Sequence, residues 1–362
     1  MSDRLQRLLS ERPWLLADGA TGTNLFEVGL QTGDAPELWN FEHPERIEAL
    51  HRSMIEAGSD IVLTNSFGGS RHRLKLHKYE DRVRAVNETA ARICRSVADS
   101  EGRRQGREIV VAGSMGPTGE LFEPLGPLSI AEGADAFAEQ AQALAAGGVD
   151  VLWIETMSSK DEVTAAVTGA ATTGLPIVVT LSFDTNGRTM MGVTPAEAVA
   201  LFHSLPQRPF AYGANCGVGA AELVTAILNM SGTADPDDVI VAKGNCGIPY
   251  YVDGKIRYDG TPELMADYAR LARDVGARII VGCCGTSPAH IRAMRAALES
   301  YEPSAEKPDL SEIVVRLGQV STGATQQFAL LRGAVGPCSE GSEPAGRRRS
   351  GRRRQTTGDA AF

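Results

Sequence analysis

Short apolar runs separated by longer stretches of helical periodicity fill the chain from Trp14 to about Ser300. The runs at 14–17, 61–64, 109–112, 151–154, 177–181, 210–214, 239–242 and 278–282 are mostly rich in β-branched residues and almost uninterrupted in apolar character. Such runs predict parallel strands covered on both faces, because a half-exposed strand alternates apolar with polar positions. The intervening segments carry helix signals. Pro44 precedes a helix predicted to Ala57, with Gly58 as its stop. Ser129 can cap a helix running to about Ala146, ended by Gly147-Gly148. Thr194-Pro195, Thr261-Pro262 and Ser287-Pro288 each set a capping hydroxyl before a first-turn proline. Eight strand–helix units within residues 1–302 predict an α/β fold, a (β/α)₈ TIM barrel. The rival is an open doubly wound sheet, which would need a glycine-rich phosphate turn or a switch-point site; the sequence offers no convincing one.

After about Glu302 the pattern becomes irregular, apart from a short helix predicted over 310–317. Residues 303–332 read as a C-terminal extension. From Gly333 to Phe362, Gly, Ser, Pro and Arg dominate, with Arg347-Arg348-Arg349 and Arg352-Arg353-Arg354 in close succession. That composition cannot bury enough apolar surface to order itself, so a disordered basic tail is expected. A solvated tail is the simple reading, and RNA or an acidic partner the alternative.

Composition narrows the class. With 43% apolar and 22% charged residues, 362 residues can form one large globular domain or two average ones. A formal net charge of −9 gives the body no general affinity for nucleic acid or an anionic membrane. No run of 18 apolar residues suggests a membrane span, and residues 1–13 lack the apolar core of a secretion signal. Six cysteines are too few for a disulfide scaffold of this size, so a cytoplasmic, reducing location is expected, where grouped cysteines point to metal or catalysis.

In such a barrel the active site forms at the C-terminal strand ends. The positions there are concentrated in polar residues: Asp18-Gly19, Thr64-Asn65-Ser66-Phe67, Gly113-Ser114, Glu155-Thr156, Ser182 with Asp184, Asn215-Cys216-Gly217, Gly244-Asn245-Cys246 and Cys283-Cys284-Gly285-Thr286. Soft thiolates select zinc, and three of them leave one of its four positions open, the arrangement of a catalytic site. Cys216, Cys283 and Cys284 form that set. Successive side chains on a regular strand point to opposite faces, but Gly282 and Gly285 allow the bend that brings both sulfurs to one ion. Cys246 is either a fourth sulfur or a buried neighbour; Cys94, on a helix, reads as an apolar filler and Cys338 as an unpaired thiol. Asp18 and Glu155 are helix caps on the bland reading and paired acceptors for an α-amino group on the functional one, with backbone N–H groups near Gly113-Ser114 free for a carboxylate. His43, His72, His77 and His290 share no ligand spacing.

Asp18-Gly19-Ala20-Thr21-Gly22, Thr64-Asn65-Ser66-Phe67, Glu155-Thr156, Gly213-Ala214-Asn215-Cys216 and Gly282-Cys283-Cys284-Gly285-Thr286 resemble, in order, the motifs of the homocysteine S-methyltransferase family. The resemblance covers Trp14 to Leu298. It implies a TIM barrel, a Zn²⁺ cofactor on Cys216, Cys283 and Cys284, homocysteine as acceptor and methionine as product. It also implies substrate contacts from Asp18, Glu155, Asn65 and Ser114, with Asn245 of Gly244-Asn245-Cys246-Gly247 able to hold the fourth zinc position before homocysteine arrives.

The chain is similar to short bacterial betaine–homocysteine methyltransferases, which makes betaine the expected methyl donor. Yet Thr156 stands where animal betaine-using members have a tyrosine, and Glu155-Thr156 with Gly187-Arg188-Thr189 resemble the homocysteine module of cobalamin-dependent methionine synthase. No cobalamin-binding or folate-binding module is expected within these residues, so the alternative donor is a separate corrinoid protein. A quaternary ammonium donor calls for an aromatic cage, for which Trp39, Phe67 and Phe122 are candidates. Two further readings compete: a non-enzymatic zinc-stabilised barrel acting through its basic tail, and another zinc enzyme such as a hydrolase. The latter usually carries histidine or carboxylate ligands. The residues set no oligomeric state.

Overall fold

A computed structural model describes residues 4–252 and 255–331. The expected basic tail at 333–362, with Cys338, lies outside them. The strands are β1 (Leu15–Leu16), β2 (Ile61–Leu63), β3 (Val110–Met115), β4 (Val151–Met157), β5 (Ile177–Leu181), β6 (Ala211–Cys216), β7 (Val239–Gly244), β8 (Pro249–Val252), β9 (Lys255–Tyr258) and β10 (Ala277–Gly282). Eight of them form one parallel sheet in the order β1-β10-β7-β6-β5-β4-β3-β2. The parallel bridge Ala17↔Ile61 brings its two edges together, so the TIM barrel predicted from the apolar runs is the fold.

The seam between β1 and β2 is short of backbone pairing, and two carboxylates supply the difference. Asp60 Oδ2 accepts from Leu16 N–H at 3.1 Å, and Asp18 Oδ2 accepts from Leu63 N–H at 2.9 Å. Asp60, its side chain fully buried, also receives Arg12, Arg107 and Arg295 at 2.9, 3.2 and 3.0 Å.

Inside the barrel every second residue of each strand points to the axis. Leu15, Leu63, Ala112, Val151, Trp153, Val241 and Val281 belong to one buried apolar cluster there. The same cluster contains Leu5, Leu8 and Leu9 of helix Arg4–Glu11, whose i, i+3, i+4 spacing gives one apolar face. This helix, unforeseen in the polar N-terminal segment, closes the floor; Arg4 bonds Ile109 O at 3.2 Å and Asp150 at 3.0 Å. Burying three leucines contributes roughly 1.5–3 kcal/mol each.

The outer helices begin where their caps predict. Ser129 and Glu132 form a reciprocal capping box at 3.2 and 3.1 Å ahead of Ile130–Ala146, and Thr194 with Glu197 repeats it ahead of Pro195–Ser204. Helix Ala220–Ser231 is apolar on nearly all sides and buried from Ala220 to Met230. The predicted helix Leu310–Leu317 and an additional one, Thr322–Leu331, pack against it, so the region after Glu302 is less irregular than its sequence suggests. The other unforeseen element is the antiparallel hairpin β8–β9 on the C-terminal rim, before helix Pro262–Asp274.

Candidate active site

The inward register that builds the apolar floor continues upward into polar residues. Above Ala112 comes Ser114, above Trp153 Glu155, above Gly213 Asn215, above Val241 Lys243 and above Val281 Cys283. They lie at or just beyond the C-terminal strand ends, beneath a cavity of about 870 Å³ whose walls include Gly19, Asn65, Phe67, Tyr258, Cys216 and Cys284.

Cys216, Cys283 and Cys284 converge there, with all three sulfurs within 4.8 Å of one another. Two backbone devices bring them together. Cys216 ends β6 with φ +60°, which turns its side chain out of the strand alternation. Gly285, at φ +80°, turns the chain after Cys284, and Tyr258 packs so closely over it that a Cβ would lie 2.5 Å from the ring. The neighbouring strand end is bent as well: Thr156, a β-branched residue, sits at φ +66°. Fully buried Asn215 ties the two bends together. Its Oδ1 accepts from Thr156 N–H and its Nδ2 donates to Thr156 Oγ1, both at 2.8 Å.

Without a cation the three thiols oppose one another's ionisation. Cys216 is pushed up to about 11: its hydrogen bond with Cys283 favours the thiolate, but the contact with Cys284 and burial outweigh it. Cys283 is pushed up to about 12, chiefly by its hydrogen bond with Cys216. Cys284 also reaches about 12, the help it receives from Cys216 being outweighed by Cys283 and burial. A divalent cation reverses that balance, and a close all-sulfur donor set suits a soft one. Among the described residues, one other group has ligand-like geometry, His203, Asp235 and Asp238; Arg208 bonds all three of them, at 2.9, 3.0 and 2.5 Å, so a cation already fills it.

Cys246 stands apart from the three sulfurs, its thiol donating to Gly260 O at 3.3 Å, and Cys94 is buried on helix Val83–Gln105. Asn245 straps the cysteine loops together: Nδ2 donates to Gly217 O at 2.8 Å and Oδ1 accepts from Cys284 N–H at 3.1 Å. Tyr258, from the unforeseen hairpin, hydrogen-bonds Cys284.

Asp18 is buried, and its Oδ1 has no hydrogen-bond partner. Burial lifts its pKa from 3.8 to about 7, partly opposed by Lys243. Glu155 accepts from Ser114 Oγ at 2.5 Å through Oε1 and pairs with Lys243 Nζ through Oε2. Sequence reasoning missed Lys243. Burial would depress its pKa, but Glu155, with Cys283 and Asp18 nearby, raises it above that of an ordinary lysine. The Ser114 N–H donates to Thr64 Oγ1 at 3.0 Å, so it is not the free donor for a carboxylate that the sequence suggested. Asn65 bonds Pro36 O at 2.7 Å and Asn40 Oδ1 at 3.2 Å with its amide, leaving Oδ1 as the atom for a ligand. Of the three aromatic candidates, Phe67 lines the cavity; Trp39 packs in a separate cluster beside His43, and Phe122 is buried against Gly133. His77 and His290 line the cavity without joining the sulfurs. Among the described residues no helix is long and apolar enough to cross a membrane.

Comparison with known proteins gives the same picture. The chain is 31% identical over 319 residues to methionine synthase of Mycobacterium tuberculosis, and 30% over 297 residues to that of Mycobacterium leprae. These matches cover 82% and 78% of this chain but 26% and 24% of those proteins, so the chain spans about a quarter of their length. Among solved structures it resembles the homocysteine methyltransferase MmuM from Escherichia coli. The metallated form aligns at TM-score 0.68 and 24% identity, over 81% of this chain and 99% of that one. The oxidized form aligns at TM-score 0.65 and 26% identity, over 81% and 98%. The homocysteine S-methyltransferase family model matches residues 15–298, a span containing every strand of the barrel and all three clustered cysteines, and the chain belongs to that family.

Proposed function

We propose that the chain is a zinc-dependent homocysteine S-methyltransferase that forms methionine, with betaine as methyl donor. The observation that carries the reading is the convergence of three sulfurs on the wall of a cavity large enough for two small substrates. Cys216, Cys283 and Cys284 would hold the zinc, and their donor chemistry fits it. A zinc ion there supplies the Lewis acidity that keeps a substrate thiol ionised at neutral pH.

The chain's own residues do the rest. Asp18 offers its unpartnered Oδ1 to the homocysteine ammonium, within a buried setting that strengthens the contact. Glu155 and Ser114 form the rigid wall beside it, Asn65 Oδ1 a further acceptor, and Asn245 keeps the cysteine loops in register. Phe67 gives the donor an apolar surface, and the cavity walls limit water around the reacting methyl group. The homocysteine sulfur then bonds to the methyl carbon as the carbon–nitrogen bond of betaine breaks, and dimethylglycine leaves with the electron pair.

A second reading rests on the methionine synthase relatives and on Thr156: the chain is the homocysteine-activating subunit of a split cobalamin-dependent enzyme, supplied by a separate corrinoid protein. A donor panel with homocysteine separates the two. Methionine formed from betaine supports the first reading; methionine formed from a methylated corrinoid alone supports the second. Formation from neither, nor from S-methylmethionine, S-adenosylmethionine or dimethylsulfoniopropionate, defeats both. Cys284→Ala should abolish zinc retention and turnover while circular dichroism shows a folded barrel.

A further inference from the structure

The three sulfurs all border the cavity but are not equally open: Cys216 and Cys284 are part-exposed, and Cys283 is buried. Thiolates remain nucleophiles when they serve as metal ligands, and three of them outweigh the charge of one dication. An electrophilic methyl group brought into this cavity therefore meets sulfurs of the wall as well as the sulfur of a substrate. A methyltransferase built this way has to favour the substrate.

A hydrogen bond from outside the trio reaches each of the part-exposed sulfurs. The Asn245 amide donates to Cys216 as well as to Gly217 O, and the Tyr258 hydroxyl donates to Cys284. The hydrogen bonds of buried Cys283 run to the other two sulfurs. A phenol is an O–H donor at neutral pH. A donor aimed at a thiolate stabilises the anion and so lowers its readiness to attack carbon.

The base of the hairpin holds Tyr258 in place for this contact. The Cys246 N–H donates to Cys284 O at 2.9 Å, and the Gly260 N–H donates to Cys246 O at 3.1 Å. Asp259 Oδ1 accepts from the Ile248 N–H at 2.6 Å, which ties the two ends of the hairpin together. The Tyr258 ring lies so close over Gly285 that a side chain there would displace it. The hydroxyl is thus carried on the cavity wall beside Cys284 by a ring with little room to move.

We propose that Tyr258 is a positioning residue for chemical selectivity: its hydroxyl engages the Cys284 sulfur, so that methyl transfer goes to the substrate thiol and not to the wall. This guard rests on the zinc-thiolate reading above and adds how a ligand sulfur beside the donor escapes methylation. Without it, the Cys284 sulfur would bond to the methyl carbon while the leaving group departs with the electron pair of the broken bond. The S-methylcysteine formed is a neutral thioether and no longer an anionic ligand.

Iodomethane tests the guard without assuming the natural donor. The full chain purified with its zinc is treated in the absence of homocysteine; sulfur–carbon bond formation releases iodide. Peptide mass spectrometry reads methylation at each cysteine, and a chromophoric chelator reads the zinc retained. Tyr258→Phe keeps the ring over Gly285 and removes only the hydroxyl. Methylation of Cys284 should then accelerate by about 3–10-fold, roughly half, on a logarithmic scale, of what a hydrogen bond to an anion is worth. Cys216 and Cys283 should keep their wild-type rates. An unchanged rate at Cys284 would overturn the guard. Equal acceleration at all three cysteines would overturn it too, because Tyr258 would then only help to retain the metal. If Tyr258→Phe does not fold, Tyr258→Leu and Tyr258→Gln decide, since only the glutamine amide can still donate: faster methylation of Cys284 in the leucine variant supports the guard, and equal rates overturn it. A wild-type chain that retains no zinc defeats the zinc reading and the guard together, an outcome distinct from a zinc-loaded chain whose Cys284 is indifferent to the hydroxyl.

Discussion

Asn215→Leu is the substitution that most directly tests how the sulfurs are held in place. The side chains are of similar size, so the change removes two hydrogen bonds without opening a large cavity. Both run to Thr156 at 2.8 Å, and Asn215 is fully buried. Thr156 is left with an N–H and a hydroxyl lacking partners in a half-buried setting, a loss of about 2–4 kcal/mol for the pair. The local consequence should exceed the global one. Thr156 and Cys216 both hold φ near +60°, a conformation that costs about 1–3 kcal/mol per residue and persists only while its surroundings enforce it. With the tie gone, Cys216 can relax toward negative φ and carry its sulfur away from Cys283 and Cys284. Zinc affinity should fall by about 10–100-fold, the usual effect of removing support around ligands. Competition against a chromophoric chelator measures that affinity, and urea unfolding of the same samples measures stability. Asn215→Asp keeps an acceptor for the Thr156 N–H and a partner for its hydroxyl, so it should retain more zinc than Asn215→Leu. Wild-type zinc affinity in Asn215→Leu, with the expected stability loss present, would refute the reasoning.

Other expectations follow from buried charge. His51 is buried, its Nε2 has no partner, and burial lowers its pKa from 6.5 to about 4. The unfolded chain therefore takes up a proton before the folded one does, and stability present above pH 6.5 is lost as pH falls toward 4, by about 3 kcal/mol in all. Urea unfolding at pH 7 and pH 5 should show this decline, and His51→Leu should flatten it; an unchanged slope would remove His51 as its source. Asp60→Ala leaves Arg12, Arg107 and Arg295 facing one another without their shared carboxylate and should cost about 3–5 kcal/mol. The protein that remains folded should keep its turnover number, and a loss below about 1 kcal/mol would show that the three arginines find other partners.

The barrel was readable because eight buried strands leave eight apolar runs, and the hydroxyl–proline pairs mark helix starts that need little tertiary help. The strand ends were harder. Strands β3, β4, β6 and β7 continue two or three residues past the last residue of their apolar runs, because Ser114, Cys216 and Lys243 still pair along the sheet while lining or bordering the cavity, and β4 resumes its pairing at Met157 after an irregularity that contains Glu155. That is why Lys243 went unnoticed: it looked like the polar residue after a strand. The signal was the alternation itself, since Val239, Val241 and Lys243 share a face as Val151, Trp153 and Glu155 do. Asp18 is not the helix cap of its bland reading, and Asn245 has a structural task that the sequence did not suggest. Asp18 closes the β1–β2 seam with one oxygen and leaves the other free, and Asn245 joins the loops of two cysteines. Tyr258 could not be anticipated, because its place depends on a hairpin folding back over Gly285, which local sequence does not encode.

Helix Arg4–Glu11 gives the molecule an asymmetry with evolutionary reach. Everything that seals and ties the floor, the three leucines and the arginines gathered on Asp60 and Asp150, sits at the far end from the cavity. The rim can therefore tolerate left-handed non-glycine residues and an unmatched carboxylate, because the reserve that offsets them is anchored elsewhere. Under the function proposed above, substitutions among the rim loops can then retune which methyl donor is admitted without putting the scaffold at risk. Changes beneath the barrel would instead alter how long the protein survives heat, and hardly what it makes.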